Sequence, residues 1–336
     1  MSNTAQPRET AEIHRLRNVP DRPNNPGVPF DPAPVAGVRV NLSAVERRAA
    51  TLPKRRTVKK EWQAAWLTKA LTCIDLTTLS GDDTAGRVRR LCAKARHPLR
   101  ADIVEGLGLA GRPVTVAAVC VYHRFIETAK EALAGSGIPV AAVSAAFPAG
   151  LAPLSTRLAE IEASVAAGAD EIDVVITREH VLNADWRALY DELRAFKDAC
   201  GPAHMKTILG TGDLKTLRNV GRASWVAMMA GSDFIKTSTG KEGVNATLPV
   251  ALVMVRAIRA YREATGHIVG FKPAGGIATA KDAMAFQFVM KEELGNDWLG
   301  PGLFRIGASA LLADIERQLE YFVTGRYASF EHLALG

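Results

Sequence analysis

The stretch Asp233–Gly243 reads DFIKTSTGKEG, and the rest of the chain is best interpreted from it. A short apolar segment that fits a buried strand ends in a lysine, Lys236. Burial disfavours the charged form of an ammonium group, and the neutral amine that results is a nucleophile. The general alternative is a surface lysine at the end of a strand, because buried lysines are rare. The choice depends on the residues elsewhere in the chain.

Short apolar segments alternate with longer helical segments from about residue 58 onward. The predicted strands are Leu71–Leu76, Val114–Cys120, Pro139–Val143, Glu171–Ile176, His204–Leu209, Phe234–Lys236, Ile268–Phe271 and Leu303–Ile306. The predicted helices are Thr84–Ala95, Arg124–Ala134, Ser155–Ala167, Ala184–Ala199, Leu214–Met229, Leu248–Thr265, Ala280–Leu294 and Ser309–Phe322. Apolar strands separated by helices indicate a parallel sheet covered by helices. Eight such units predict a closed (β/α)8 TIM barrel, whose working residues follow the carboxyl ends of the strands.

A doubly wound open sheet is the structural alternative to the barrel. That fold needs a glycine-rich turn for phosphate after its first strand. Here the first strand is followed by DLTTLSGDDT, which has no such turn, so the barrel is preferred.

Residues 1–56 are predicted to form a largely irregular extension, before the barrel at 57–325 and a C-terminal tail at 326–336. Eight of the 17 prolines lie in this extension, and proline at that density opposes both helix and central strand. Only Glu9–Arg17 and Leu42–Thr51 are candidates for helices within it, whereas Trp62, Trp66 and Leu67 are spaced as in a helix. Residues 1–60 hold 12 basic and 5 acidic residues, so their net charge equals the +7 of the whole chain.

Composition excludes several classes of protein. The barrel region is neutral, which argues against a nucleic-acid partner, and the basic cluster Pro53–Lys60 has no interleaved aromatic residues. Hydrophobic content is 48%, yet no apolar run approaches the ~18 residues of a membrane span. The first residues lack the pattern of a secretory signal, and the four cysteines form no CxxC pair. We therefore expect a cytoplasmic protein with no membrane partner, metal site or disulfide framework.

Polar residues stand at the ends of several predicted strands: Asp75, Thr77, Cys120, Asp173, Lys206, Lys236 and Lys272. Asp75 could instead cap the following turn, and Cys120 could be a small buried apolar residue. Asp173 is flanked by Ile172, Val174 and Val175, so burial obliges its carboxylate to find a partner. Three lysines and an aspartate on neighbouring strand ends predict a charge network whose members shift each other's pKa.

Glycines after the last two predicted strands indicate an anion site. Gly275 and Gly276 follow Lys272, while Gly307 and Ser309 follow the eighth strand. Loops at these two positions commonly hold phosphate in this fold, where backbone N–H groups and a helix N-terminus meet the anion. Lys241 and Thr239 of the KTSTGK segment are further candidates for substrate binding.

These residues together predict a Schiff-base mechanism. A neutral lysine amine attacks a carbonyl, and the iminium that forms allows a neighbouring carbon–carbon bond to break. We assign Lys236 as the nucleophile and Lys272 as the cation that keeps Lys236 deprotonated. Asp173 is assigned as the proton shuttle, acting with Lys272 or through water. No metal or other cofactor is required.

Six motifs occur in one order over Leu71–Leu312: CIDLTTL, AVCVY, GADEIDVVI, MKTILGTGDL, GSDFIKTSTGK and VGFKPAGGI. Together they closely resemble the deoxyribose-phosphate aldolases, which are class I aldolases. The resemblance implies reversible cleavage of 2-deoxy-D-ribose 5-phosphate into glyceraldehyde 3-phosphate and acetaldehyde. It also implies that Lys236 forms the Schiff base, that Lys272 tunes the reactivity of Lys236 and that Asp173 takes part in proton transfer. The implied partners are a phosphosugar and aldehydes, and we expect a homo-oligomer, with a dimer favoured.

The sequence departs from the family pattern at three places. Ala278 stands where the family commonly has arginine, Ala310 where it often has serine, and AFPAG where FPHG is usual. The first two changes remove phosphate contacts, so we expect weaker affinity for a 5-phosphate or a substrate that is less strictly phosphorylated. Two alternatives therefore stay open: a protein that binds a phosphosugar or a protein partner on an aldolase scaffold, and a related Schiff-base aldolase for other aldehydes.

Overall fold

The computed structural model describes residues 24–55 and 57–329, and its centre is a parallel eight-stranded sheet. The strands are β1 Ile74–Thr77, β2 Ala118–Tyr122, β3 Val140–Ser144, β4 Glu171–Val175, β5 His204–Ile208, β6 Phe234–Lys236, β7 Gly270–Lys272 and β8 Ile306–Ala308. Neighbours in the sheet follow the chain, from β7 through β6 down to β1 and then β8. Parallel bridges join Phe271 to Phe304 and Ala274 to Gly307, and they close the sheet into a barrel between β7 and β8.

Helices surround the barrel in the order that the sequence predicts. They are α1 Pro32–Gly37, α2 Leu42–Arg55, α3 Lys60–Leu71, α4 Ala85–Arg96, α5 Ala101–Gly106, α6 Ile126–Ala132, α7 Leu154–Ala166, α8 Arg178–Leu182, α9 Trp186–Cys200, α10 Leu217–Met229, α11 Leu248–Thr265, α12 Ala280–Glu293 and α13 Leu311–Thr324. The helix that covers each strand is, in turn, α4, α6, α7, α9, α10, α11, α12 and α13. The (β/α)8 barrel is thereby confirmed. Among the described residues, none of these helices combines the length and the apolar character needed to cross a bilayer.

Three strands begin at least three residues later than predicted. The first strand begins at Ile74 instead of Leu71, because helix α3 continues to Leu71 before the chain turns into the sheet. β2 lies further along the apolar run VTVAAVCVY than predicted, so Cys120 lies in the middle of that strand. β8 begins at Ile306, although the backbone of Leu303 already accepts a hydrogen bond from Phe271.

Register and pleat bring ionisable side chains into the barrel. Side chains two residues apart share one face of a strand, and both Glu171 and Asp173 of β4 are fully buried. Asp173 lies opposite Lys206 of β5 in the parallel register, and Lys236 of β6 lies opposite Lys272 of β7. Ordinary β pairing therefore places these charged groups next to one another.

The part of the predicted extension that the structure describes holds more helix than its proline content suggests. Pro32 lies in the first turn of α1, where proline is tolerated, and Pro53 lies in the last turn of α2. Val35 and Leu52 are 1% and 0% exposed, so both helices pack on the barrel. The candidate helix Glu9–Arg17 lies outside the described residues, and the domain division at residue 56 stays a prediction.

Asn25 fastens this segment to the barrel, and it is fully buried. Its side-chain amide donates to the carbonyl oxygens of Met228 at 2.8 Å and Ser232 at 3.0 Å. Its side-chain oxygen accepts a hydrogen bond from the Tyr261 hydroxyl at 3.2 Å. Its backbone N–H donates to Asp233 at 2.8 Å.

Asn25→Ala is expected to lower the free energy of unfolding by about 2–4 kcal/mol, because it leaves several buried polar groups without partners. Urea denaturation measures this change. Asn24→Ala is the matched control, since Asn24 is exposed and, among the described residues, accepts a hydrogen bond only from Lys197, at 3.1 Å. It should stay within about 0.5 kcal/mol of the natural protein. Equal losses for the two variants would show that Asn25 does not fasten the segment.

Candidate functional site

A cluster of seven ionisable side chains fills the barrel interior. Each is at most 4% exposed, and the set comprises Asp75, Glu171, Asp173, Lys206, Lys236, Lys272 and Arg305. Charges at this depth are sustained only by partners, because each has lost its hydration. The hydrogen bonds within the cluster therefore determine which of its groups keep their charge.

Asp173 is the centre of the upper half of this cluster. Its Oδ2 accepts hydrogen bonds from Nζ of Lys236 and Nζ of Lys272, both at 2.7 Å. Its Oδ1 accepts from Nζ of Lys206 at 3.1 Å. A single carboxylate thus contacts all three lysines that the sequence placed at strand ends.

The lower half holds the other carboxylates. Lys272 Nζ lies 2.5 Å from Asp75 Oδ2, and Arg305 Nη1 donates to Asp75 Oδ1 at 2.6 Å. Glu171 accepts from Arg305 Nη2 at 2.9 Å and from Lys206 Nζ at 2.5 Å. Lys206 and Lys272 are therefore each paired with two carboxylates at 3.1 Å or closer. Lys236 contacts Asp173 alone within that distance.

This difference decides which amine gives up its proton most readily. Burial lowers the pKa of Lys236; the Asp173 carboxylate opposes that shift, while the charge of Lys272 reinforces it, and the net direction is downward. Burial also acts to lower the pKa of Lys206 and of Lys272, but their carboxylate partners outweigh it and raise both. The charge of Lys272 acts on Lys236 in the predicted direction, although burial has the larger effect.

Charge balance leads to the same residue. With every group ionised, four cations face three carboxylates, namely Asp75, Glu171 and Asp173, and one positive charge is left over. Loss of a single proton makes the buried cluster neutral, which is the state that a low-dielectric interior favours. Lys236 is the only amine of the three whose pKa is lowered.

Asp173 remains ionised under these conditions. Burial alone would raise the pKa of its carboxyl group, but the charges of Lys206, Lys236 and Lys272 overcome that effect and lower the pKa well below its usual range. A carboxylate held in this way accepts hydrogen bonds and orients the amines. It can relay a proton only between groups that donate to it.

A cavity of about 400 Å³ opens above the strand ends, and Lys236 lies on its wall at 3% exposure. The predicted binding residues that line it are Thr77, Thr239, Lys241, Gly275, Gly276, Gly307 and Ser309. The structure thus gathers loops from β1, β6, β7 and β8 around one amine. Ala278 and Ala310, where the sequence departs from the family pattern, line the same cavity.

Three predicted binding residues lie below the cavity instead of on its wall. Asp75 and Lys206 are fully buried in the ionic cluster, where they pair with Arg305 and Glu171. Cys120 is fully buried and packs with Ala141 and Val143 of the neighbouring strand. Burial raises the pKa of its thiol. These three groups can support the amines from beneath, but they do not face the opening.

Two glycines are required by close contacts at this cavity. A Cβ on Gly275 would lie 2.6 Å from the side chain of Asn245, and its φ of +83° is unfavourable for other residues. A Cβ on Gly307 would lie 2.9 Å from Ala274 and 3.3 Å from Cε of Lys272. Gly307 therefore leaves room for the Lys272 side chain to reach Asp173.

The sequence alone did not single out Glu171 or Arg305. Glu171 begins an apolar strand, and Arg305 immediately precedes another, so both showed the same signal as Asp173: a charge in a buried segment. Their pairing joins residues 134 positions apart, which no local pattern indicates.

Arg178 and Glu242 were also missed, and together they tie four loops that follow the carboxyl ends of the strands. Arg178 donates to the carbonyl oxygens of Ala149 at 3.0 Å and Pro148 at 3.3 Å, in the loop after β3. It contacts Asp213 after β5 at 3.1 Å and Glu242 after β6 at 3.1 Å.

Glu242 in turn holds the backbone of the KTSTGK segment. Its carboxylate accepts from the N–H of Thr239 at 3.0 Å and of Gly240 at 3.1 Å, and from the Thr239 hydroxyl at 2.7 Å. Burial opposes ionisation, but the hydrogen bonds from Thr239 and from Arg178 prevail and lower the pKa of Glu242. The charged form of Glu242 therefore fixes the loop that presents Lys241 to the cavity.

Glu242→Gln is expected to lower kcat/KM for a phosphorylated substrate by about tenfold. Charge-assisted hydrogen bonds from the loop are worth about 1.5–3 kcal/mol, and the neutral amide of glutamine loses only part of that free energy. The loss should appear in KM more than in kcat, because the Lys236 contacts are unchanged. Steady-state kinetics with and without the phosphate on the substrate measures the split. Glu179→Gln is the matched control at an exposed position of helix α8. An equal loss in kcat alone would contradict this role.

The fold and the site together define a (β/α)8 barrel with a buried lysine of lowered pKa at the carboxyl ends of its strands. A model of the DeoC/LacD family of aldolases matches residues 69–316. The deoxyribose-phosphate aldolase of Homo sapiens is 59% identical over 314 residues, which is 93% of this chain and 99% of the human protein. That of Mus musculus is 59% identical over 311 residues, covering 92% of this chain and 98% of the mouse protein.

A solved structure gives the same fold at low identity. The deoxyribose phosphate aldolase from Aeropyrum pernix superposes with a TM-score of 0.57 at 23% identity, covering 83% of this chain and 99% of that chain. The chain belongs to the DeoC/LacD aldolase family.

Proposed function

We propose that this chain reversibly cleaves 2-deoxy-D-ribose 5-phosphate into glyceraldehyde 3-phosphate and acetaldehyde, with Lys236 as the nucleophile. The observation that carries the proposal is the lowered pKa of Lys236 in a cluster that loses its excess charge when this one amine is neutral. The close relatives named deoxyribose-phosphate aldolase support the choice of substrate.

The chemistry follows from a neutral amine at the cavity wall. Nζ of Lys236 attacks the aldehyde carbon of the open-chain sugar, and loss of water gives an iminium ion. The Asp173 carboxylate takes the proton of the C3 hydroxyl through water, and the C2–C3 bond breaks. The electron pair of that bond moves into an enamine, glyceraldehyde 3-phosphate leaves, and Asp173 returns the same proton to the enamine carbon. Addition of water then releases acetaldehyde and restores the amine.

Lys272 and Asp173 are proposed to act around that amine. Lys272 remains charged, because Asp173 and Asp75 raise its pKa despite burial, and it disfavours a proton on Lys236. Asp173 accepts hydrogen bonds from both amines at 2.7 Å, so its carboxylate lies where it can take a proton released beside Lys236 and return it later in the cycle. This arrangement supports the shuttle that the sequence predicts.

The phosphate is proposed to bind between Lys241, Gly275, Gly276, Gly307 and Ser309. All five line the cavity with Lys236, and α13 begins directly after Ala310, so its N-terminal N–H groups add to the attraction for an anion. Lys241 is exposed, and in the described part of the chain it makes no ion pair that would compete with a phosphate. Because Ala278 and Ala310 offer no further donor side chain, we expect modest discrimination between phosphorylated and unphosphorylated deoxyribose.

A coupled assay with purified protein tests the proposal. Cleavage of 2-deoxy-D-ribose 5-phosphate should yield acetaldehyde, followed by NADH oxidation through alcohol dehydrogenase. Saturable binding without turnover would instead favour a phosphosugar-binding protein on this scaffold. Turnover of other aldehyde pairs in a donor and acceptor screen, with none of deoxyribose 5-phosphate, would favour a related Schiff-base aldolase.

We further propose that the protein acts in the cytoplasm as a homo-oligomer, with a dimer favoured. Cys73, Cys92, Cys120 and Cys200 are buried free thiols, which suits a reducing compartment. Tyr321 and Tyr327 stack at a ring distance of 4.4 Å while 46% and 55% exposed, and aromatic residues in such positions suit a contact between subunits. Light scattering after size exclusion decides the oligomeric state.

A further inference from the structure

A second and larger cavity lies at the opposite end of the barrel. Its volume is about 1260 Å³, and its walls come from α4, from α5, from residues 110–115 before β2 and from Glu316 of α13. Residues that precede a strand lie at its amino end, whereas the reaction cavity lies beyond the carboxyl ends. We call this second cavity the basal cleft.

The basal cleft is cationic. Five lysine or arginine side chains line it, against the two carboxylates of Glu105 and Glu316. Arg90 and Arg112 are exposed, and across residues 24–55 and 57–329 neither has a carboxylate partner. Guanidinium groups without partners attract phosphate oxygens, to which their planar fork can donate two hydrogen bonds at once.

Glu316 makes the cleft more selective than a basic surface. It is only 6% exposed, its Oε1 accepts from Nζ of Lys94, and its Oε2 has no hydrogen-bond partner within the described part of the chain. Burial raises the pKa of its carboxyl group, although Lys94 opposes the shift. A buried oxygen without a donor carries a free-energy cost that an N–H or O–H of a ligand would remove.

Leu99, Val104 and Val114 add an apolar wall to the same cleft. The cleft therefore offers cations for an anion, an acceptor for a donor, and an apolar face for a flat ring. Inorganic anions and sugar phosphates both lack the flat ring that would lie on the apolar wall. From this combination we propose that the basal cleft binds a nucleoside polyphosphate, with the phosphates on the guanidinium groups, the base on the apolar wall and an N–H or O–H on Glu316.

Calorimetric titration of the full chain tests the proposal with three probes: adenosine diphosphate, adenosine and pyrophosphate. The diphosphate should bind, and each fragment should bind at least about tenfold more weakly, since one charged hydrogen bond is worth about that factor. Arg90→Glu combined with Arg112→Glu should weaken diphosphate binding by at least about tenfold per lost contact. Arg89→Glu combined with Arg124→Glu has the same net charge, does not line the cleft and should leave the affinity unchanged.

Glu316→Gln should weaken the binding of adenosine diphosphate more than the binding of pyrophosphate. The thermal melting curve of this variant shows whether loss of the ion pair with Lys94 unfolds the protein. The Arg90 and Arg112 variant should keep its aldolase rate, which confirms that it folds. Three results would overturn the proposal. They are no binding of the diphosphate at millimolar concentration, equal affinity for pyrophosphate and the diphosphate, or loss of diphosphate binding in Lys241→Gln but not in the basal variant. The last would place the nucleotide in the reaction cavity.

Discussion

Lys236→Met is expected to lose cleavage activity by more than about 10⁴-fold while the protein remains folded, because Lys236 is the one buried lysine among the described residues that line the cavity. The fold should survive, since the variant leaves three cations opposite the three carboxylates of the buried cluster. Steady-state cleavage assays and thermal unfolding of the same preparation measure both effects.

Lys236→Arg separates charge from nucleophilicity at this position. It keeps a cation beside Asp173, but a guanidinium group stays protonated in proteins and cannot form the Schiff base. It should therefore be as inactive as Lys236→Met. Lys281→Met, at an exposed position of α12, should keep the natural rate. Substantial activity in either Lys236 variant would show that another residue is the nucleophile.

Lys272→Met is expected to reduce kcat/KM at neutral pH by about 10³-fold, through the protonation state of Lys236. Removing this cation leaves Lys206 and Arg305 to balance three carboxylates, so a proton on Lys236 restores neutrality. The pKa of Lys236 should rise, since the charge of Lys272 now lowers it. Breaking the pairs with Asp75 and Asp173 should also cost about 3–5 kcal/mol of stability, which denaturation checks.

The dependence of kcat/KM on pH shows in which direction the pKa of Lys236 has moved. The reaction needs a neutral Lys236, so kcat/KM falls as the pH drops through the pKa of that amine. In the natural protein this limb lies below the ordinary lysine value, because burial and then Lys272 lower the pKa against the pull of Asp173. In Lys272→Met the limb should move to higher pH, and alkaline conditions should recover part of the rate. A uniformly scaled profile with an unmoved limb would assign Lys272 to proton transfer alone.

The barrel and its reactive lysines could be predicted because their signals are local. Apolar strands alternate with helices, and each lysine interrupts a segment that is otherwise buried, as Lys236 does in DFIKTSTGK. Ordinal position then places Lys236 and Lys272 on adjacent strands, which the parallel register confirms. Burial and pairing of such groups follow from the fold class itself.

The rest of the site could not be predicted. Neither the depth at which a side chain lies in the barrel nor its contact with a residue far away in the chain leaves a local signal in the sequence. Asp75 and Lys206 show the same strand-end pattern as Lys236, yet they lie beneath the cavity because Arg305 and Glu171 hold them there. Arg178 reaches three other loops that are far apart in the chain. Asn25 sits among prolines that suggested irregular structure, and its partners lie more than 200 residues away. Contacts of this kind become visible only when the chain is folded.

The central claim is that one buried amine, Lys236, forms the covalent intermediate. Borohydride reduction in the presence of acetaldehyde, followed by peptide mass spectrometry, tests it directly, because reduction converts the iminium into a stable N-ethyl lysine. We predict a single ethyl group on the peptide that contains Lys236, and none on the peptides that contain Lys206 or Lys272. An ethyl group on either of those lysines, or an unmodified Lys236 under conditions of turnover, would contradict the account.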